Sequence, residues 1–317
     1  VQTCALPIYN SAPAHPRRRI VDAHHHLWDV QRNYHPWLRD DPPLAFRYGD
    51  YQAIRRNYLH ADYLRDSARY EMQGSVYVET EWDPADSTGE MAFVDELRRT
   101  GGLPTVAVAH VPLDAPNAPE RLAAQCAHAF VRSVRHKPRA NPQPDMTAPG
   151  GMLDPNWQHG YAALAELGLR FDLQTPWWHL YEAQALLERH PATPIIINHA
   201  GLPADRSRQG LARWRDAVQS ISRWPQVFMK ISGIGVPGQA WTADNNREVV
   251  QTLIEAFKSH GFQGLAGALF GLFARHRSHI QAESNVVDHR HVRKQGITLK
   301  HHAHIALGRT QVRHVLS

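Results

Sequence analysis

A chain of 317 residues, 43% hydrophobic and 21% charged, can form one large α/β domain or two ordinary ones with a sizeable core. Its net charge of +5 sits at the ends: residues 1–19 carry three Arg and no acid, the last 46 residues carry eight Lys/Arg against two acids, and the rest holds 24 basic against 28 acidic side chains. A mildly acidic body is no phosphate-binding face, and no run approaches the roughly 20 apolar residues that span a bilayer, so neither nucleic acid nor a membrane is an expected partner.

Two cysteines, Cys4 and Cys126, cannot build a disulfide framework or a thiolate metal site. They fit a reducing compartment, and the expected location is the cytoplasm. Composition leaves the oligomeric state open.

In chain order, the first stretch, "VQTCALPI", is what a common sequencing-adapter string encodes, and residues 1–17 are set apart as a leader foreign to the fold or disordered. Apolar β-branched runs then alternate with amphipathic stretches. The runs are "RRIVDA", "GSVYVE" near 75, "PTVAVA" near 105, "FVRSV" near 130, "LRFDL" near 169, "PIIIN" near 194, "VFMKIS" near 227 and "GALFG" near 267. Between them lie "EMAFVDELRR", "GYAALAELG", "YEAQALLERH", "LARWRDAVQSISRW" and "NREVVQTLIEAF", where apolar residues recur at three and four. Strands alternating with helices imply parallel pairing through right-handed crossovers. Eight units in about 250 residues predict an α/β fold, a (β/α)8 TIM barrel over residues 18–271 with an incomplete or distorted eighth unit. The remaining residues, 272–317, hold eight of the 22 histidines with little apolar periodicity. They read as a His/Arg-rich tail foreign to the barrel and poorly packed, with metal binding as its alternative use.

Two connections are long, one over residues 27–55 rich in Trp, Tyr and Pro, and "HKPRANPQPDMTAPGGMLDP" after the fourth run. Both follow strand C-terminal ends, where barrel enzymes build their sites. Polar residues gather at those same ends. In "IVDAHHHLWD" the two-residue period of a strand sends His24 and His26 to one face and His25 to the other. Later runs deliver Glu79, His110, Arg135 with His136 and Lys137, Asp172 with Gln174, Asn198 with His199, and Lys230 with Ser232. Each has an ordinary explanation alone, but a rim lined with titratable groups is costly unless it is used.

These residues carry a resemblance. "VDAHHHLWD" and "INHAGLPADRS", with "VYVETEWDPAD", "RHKPRA", "FDLQTPWWHL" and "FMKISGIG", resemble the amidohydrolase-related family of TIM-barrel hydrolases, specifically its lactonase-like branch, over about residues 18–257. The resemblance implies that His24, His26 and His199 surround a divalent metal, zinc being one candidate, or polarise the substrate directly if no metal is required. It further implies an eighth-strand aspartate that activates water. Glu79, Arg135, Lys137, Gln174, His179 and Lys230 are the substrate-binding candidates, with Arg135 and Lys137 suited to a carboxylate and Trp28, Trp177 and Trp178 to pocket walls. The expected substrate is a small molecule, a sugar- or dicarboxylate-derived lactone. Where the family expects its aspartate, this chain reads "LFGLFARHRSHI", and no acid follows until Glu283. Impaired activity is therefore expected. The alternatives are decarboxylation or hydration of aromatic acids on the same barrel, a His-rich metal binder resting on the tail, and an inactive fragment.

Overall fold

In the computed structural model, which describes residues 17–45 and 49–257, seven strands lie side by side in chain order in one parallel sheet. They are β1 (Arg18–His25), β2 (Tyr70–Val78), β3 (Val106–His110), β4 (Val131–His136), β5 (Arg170–Leu173), β6 (Ile195–Ile197) and β7 (Val227–Met229). Each falls on one of the predicted apolar runs. The predicted eighth strand and the tail from residue 272 lie outside the described residues, as does the leader before residue 17.

Helices fill the connections. A single turn, α1 (Pro36–Arg39), and α2 (His60–Asp66) lie between β1 and β2, followed by α3 (Gly89–Gly101), α4 (Ala118–Cys126), α5 (Pro155–Glu166), α6 (Leu180–Arg189), α7 (Arg208–Ile221) and α8 (Ala243–Phe257). Of these, α2 and α4 are short, at seven and nine residues, and so do not stand out in the hydrophobic pattern. Local chemistry sets the ends of the others. Asp154 accepts from the backbone N–H groups of Asn156 and Trp157 to start α5, with Pro155 in its first turn, and Ser207 caps α7 through Gly210 N–H. Gly102, at φ 73°, ends α3 in the left-handed conformation that glycine adopts without strain.

Alternation along the strands separates two interiors. Tyr77, Ala107, Val134, Phe171, Ile195, Ile197 and Met229 face outward and join the helices in one large apolar core. Val76, Val78, Val106 and Val108, paired in register across β2 and β3, form a separate small cluster on the inner face. Further along that face polar residues replace the valines. The sheet curls around them: Lys230, just past β7, reaches Asp172 of β5 at 2.7 Å and His24 of β1 at 3.5 Å. The fold is a distorted (β/α)8 barrel of which seven units are described, with no β1–β7 pairing among the described residues.

Gly160 marks a close approach of α5 to the segment entering α4. A Cβ at this position would lie 2.2 Å from the Leu113 carbonyl oxygen and 2.9 Å from the Ala118 Cβ. Helix propensity alone favours Gly→Ala by about 1 kcal/mol, whereas overpacking against backbone costs about 1–3 kcal/mol. Gly160→Ala is therefore expected to lower the melting temperature. A calorimetric scan showing an unchanged or raised value would mean that α5 shifts freely.

Candidate active site

The inner face of β1 brings its histidines together at the strand C-terminal end. His24 is fully buried and His26 half-buried, with their Nε2 atoms 3.1 Å apart. His25 turns the other way, bonding Ser75 Oγ at 2.9 Å and stacking on Tyr63. The His199 ring, delivered from beyond β6, lies 5.3 Å from that of His24, centroid to centroid.

The surroundings fix the protons of neutral rings. The Val78 carbonyl only accepts, so His26 Nδ1 donates to it at 2.7 Å and Nε2 is left as an acceptor. His24 then donates from Nε2 to His26 and takes the Lys230 ammonium at Nδ1. Two Nε2 atoms 3.1 Å apart also suit two ligands at roughly 2.0–2.1 Å from one ion, once the His24 proton moves to Nδ1 and the Lys230 ammonium gives up that nitrogen and keeps Asp172. Among the described residues no three His, Cys, Asp or Glu side chains form a ready metal cage. The donor set fits an ion as a two-histidine chelate.

Lys230 is the hub of the interior. Asp172, fully buried, accepts from Lys230 Nζ and from Asn198 Nδ2 (3.1 Å) at Oδ1, and from Ser133 Oγ (2.7 Å) at Oδ2. Burial lowers the pKa of the Lys230 ammonium, and the Asp172 carboxylate opposes that. Beneath His24, Asp22 bonds the His24 N–H and the Tyr63 hydroxyl, and burial raises its pKa to about 6. Asp22 escaped the sequence reading, although its place two residues before His24 on the same strand face was a usable signal.

His199 is presented by an unusual turn. His199, Ala200, Gly201 and Leu202 have φ values of 55°, 57°, 64° and 58°, four consecutive left-handed residues. Three are not glycine, and each costs about 1–2 kcal/mol. Two bonds hold the turn at its centre, Ala200 N–H to the Lys230 carbonyl (3.0 Å) and Trp214 Nε1–H to the Ala200 carbonyl (2.7 Å). Ser232 Oγ, 3.1 Å from Nδ1, orients the ring.

The substrate-binding candidates divide. Arg135, 4% exposed, spends Nε on Glu79 Oε1 (2.5 Å), one terminal nitrogen on the Glu79 carbonyl (2.7 Å) and the other on Gln174 Oε1 (3.3 Å). Lys137 is paired with Glu81. The expectation that these two cations hold a substrate carboxylate meets guanidinium and ammonium groups already committed to carboxylates. His179 is fully buried, with Nδ1 on Glu182 (2.8 Å) and Nε2 accepting from Asn141 N–H (2.9 Å), so it has no polar atom left for a ligand. Glu182 also accepts from Gly150 and Met152 N–H, which makes the pair a staple for the long loop after β4. Trp28 and Trp177 pack in the core and Trp178 bonds the Asn141 carbonyl. The tryptophans lining the cavity at this rim are Trp37 and Trp82.

A parallel barrel whose strand ends converge imidazoles, an ammonium and carboxylates on one mouth defines a hydrolase of the amidohydrolase type. The chain belongs to the amidohydrolase family, whose model matches residues 21–260. It is 32% identical to an uncharacterized protein, y4mH, of Sinorhizobium fredii, over 75% of this chain and 80% of that one. It is 27% identical to an L-fucono-1,5-lactonase of Burkholderia multivorans, over 77% and 79%. An amidohydrolase from Burkholderia multivorans with bound zinc superposes at a TM-score of 0.59 and 25% identity, over 77% of this chain and 81% of that one.

Below the rim, Glu90 Oε1 accepts from the Tyr77 hydroxyl (2.9 Å), Thr80 N–H (2.6 Å) and Thr80 Oγ1 (3.0 Å). Burial, reinforced by the Glu79 charge, raises its pKa to about 7. Burial is the largest single influence on Glu79 and works against its ionising too, but the Arg135 guanidinium, His110, Lys137 and the Glu81 N–H together outweigh it and hold that carboxyl well below the ordinary range. An acid whose folded pKa is raised contributes stability below its unfolded value, and that contribution is lost as pH rises through about 7. Glu90→Gln keeps the acceptor and removes the ionisation. In denaturant unfolding the variant should match the parent near pH 4.5 and exceed it above pH 7; parallel pH profiles would refute the assignment.

Proposed function

We propose that the chain is a lactone hydrolase whose reacting centre is His24, His26, His199 and Lys230. One observation carries the reading: side chains from β1, from the turn after β6 and from the end of β7 converge on a single point at the barrel mouth, His24 lying 5.3 Å from His199 ring to ring and 3.5 Å from the Lys230 ammonium. The relatives named L-fucono-1,5-lactonase in Burkholderia multivorans and Burkholderia ambifaria, 27% and 26% identical, support a lactone as the substrate.

In the proposed reaction water adds to the lactone carbonyl, the ring C–O bond breaks, and the product is a hydroxy acid. The carbonyl oxygen gains negative charge as water attacks, and the Lys230 ammonium, held by Asp172, and the imidazole N–H groups offset that charge in a water-poor interior. His24 and His26 would hold a divalent ion as a two-histidine chelate, and that ion, as a Lewis acid, would polarise the same carbonyl. Water must also lose a proton. Asp172 already accepts from three donors, and Glu79 from Arg135 and the Glu81 N–H. The aspartate that the family resemblance assigns to this step has no counterpart in residues 258–282.

Turnover by this chain is therefore feeble. Losing a positioned general base costs about 100-fold to 10,000-fold in rate. A pH-indicator assay on sugar and dicarboxylate lactones should show a deficit of that order relative to a version whose residues from 258 onward are replaced by an eighth strand bearing Asp, and His199→Ala should abolish the restored activity. Equal rates for the unmodified and repaired chains would mean that another group is the base. In equilibrium dialysis the protein should retain zinc, and a His24→Ala/His26→Ala double variant should release it. Full retention by the double variant would place the ion elsewhere.

A further inference from the structure

A cavity of about 400 Å³ lies on the β2–β4 side of the histidine centre. It begins at Glu79, the residue after the Val78 carbonyl that anchors His26. Trp37, Trp82 and Met91 supply apolar walls, and the imidazoles of His110 and His136 join the lining.

The two imidazoles have opposite, fixed hydrogen-bonding characters. His136 Nδ1 accepts from two obligate donors, Leu113 N–H (3.1 Å) and Trp157 Nε1–H (3.0 Å). Its proton must therefore sit on Nε2. Among the described residues that N–H has no hydrogen-bond partner, and the neighbouring Asp114 carboxylate is 3.9 Å away. Burial lowers the His136 pKa to about 4, with Asp114 and Glu79 opposing and His110 adding to the effect, so the ring stays neutral. His110 is the converse: Nδ1 donates to the Arg135 carbonyl at 3.1 Å, which leaves Nε2 of the neutral ring as an acceptor. The ring centroids are 6.0 Å apart. A donor beside an acceptor matches a hydroxyl group, which can satisfy both at once. The lining disfavours an anion: of its two cations Lys137 is paired with Glu81 and Arg121 spends Nε on Asn117 Oδ1, and the carboxyl groups of Glu79, Glu81, Asp83 and Asp86 outnumber them.

We propose that this cavity is a subsite for a neutral, hydroxylated ring, in which one hydroxyl accepts from His136 Nε2–H and donates to His110 Nε2. Trp157 is a positioning residue that fixes the His136 tautomer. The inference rests on the lactone reading in taking that ring as the body of the substrate, and it narrows the substrate to the sugar type over the dicarboxylate type.

Calorimetric titration with anhydroglucitol, a cyclic polyol that cannot be hydrolysed, tests it on the full chain. Saturable binding is expected, with tetrahydropyran, the same ring without hydroxyls, at least about 10-fold weaker. His136→Leu and His110→Phe should each weaken polyol binding by about 10-fold. His136→Gln should retain it, since the amide oxygen can accept from Trp157 while its nitrogen donates into the cavity. His110 is exposed, so its variant keeps the test decisive if His136→Leu fails to fold. Equal affinity for the two rings, no polyol binding, or unaltered binding by His110→Phe would each overturn the subsite. Gluconolactone and δ-valerolactone turned over by the repaired chain with equal kcat/KM would overturn it while leaving the hydrolase standing. Polyol binding as expected without hydrolysis of any lactone by the repaired chain would do the reverse.

Discussion

The Lys230 ammonium is the contact on which the interior of this barrel depends. It reaches Asp172 on β5 and His24 on β1 from the end of β7, across a gap that no described strand pairing closes. An ammonium and a carboxylate buried together are tolerable only while both are satisfied, and removing one partner of such a pair typically costs about 3–5 kcal/mol. Here the partner groups have partners of their own. Asp172 also gathers Ser133 and Asn198, and the ammonium decides which nitrogen of His24 carries a proton. One charge thus sets the electrostatics of the mouth and ties the first described strand to the end of the last.

That dependence explains which parts of the molecule were legible in the sequence. The strands were, because alternation is a local property: a residue and its neighbours two positions away share a face whatever lies opposite. The His-x-His of β1 was legible for the same reason, and the comparison with amidohydrolases agrees with the barrel it implied. Partner choice was not legible, because it is set by distances between elements far apart in the chain. Arg135 and His179 are alike as substrate-binding candidates in the sequence, yet one is absorbed by Glu79 and the other by Glu182. The tryptophans divide in the same way. Trp28 and Trp177 sink into the core while Trp37 and Trp82, no different in local context, wall the cavity. Asp22 was passed over because it precedes the strand end, although the two-residue period of β1 already put it on the face of His24.

The long loop after β4 illustrates the same division between scaffold and site. Its backbone is fastened to α6 by the buried Glu182 carboxylate, which takes Gly150 N–H, Met152 N–H and His179 at once. A carboxylate that satisfies backbone donors in this way gives an irregular segment the hydrogen bonds it would otherwise take from water. The segment can therefore lie against the barrel beside the mouth as a fixed wall, and its exposed tip around Asp145 to Thr147 is where changes in length are best tolerated.

The left-handed turn at His199–Leu202 behaves as a cocked catch. Three of its residues sit in a conformation they would leave if released, and two hydrogen bonds, from Trp214 and to Lys230, hold them there. On warming, such a segment has more to gain by opening than the strands around it, since relaxation returns backbone energy as well as entropy. His199 would then swing away from His24 while the sheet and its helical coat were still intact. Heat would disarm this barrel before it unfolded it, and cooling would reset the catch without any need for the chain to fold again.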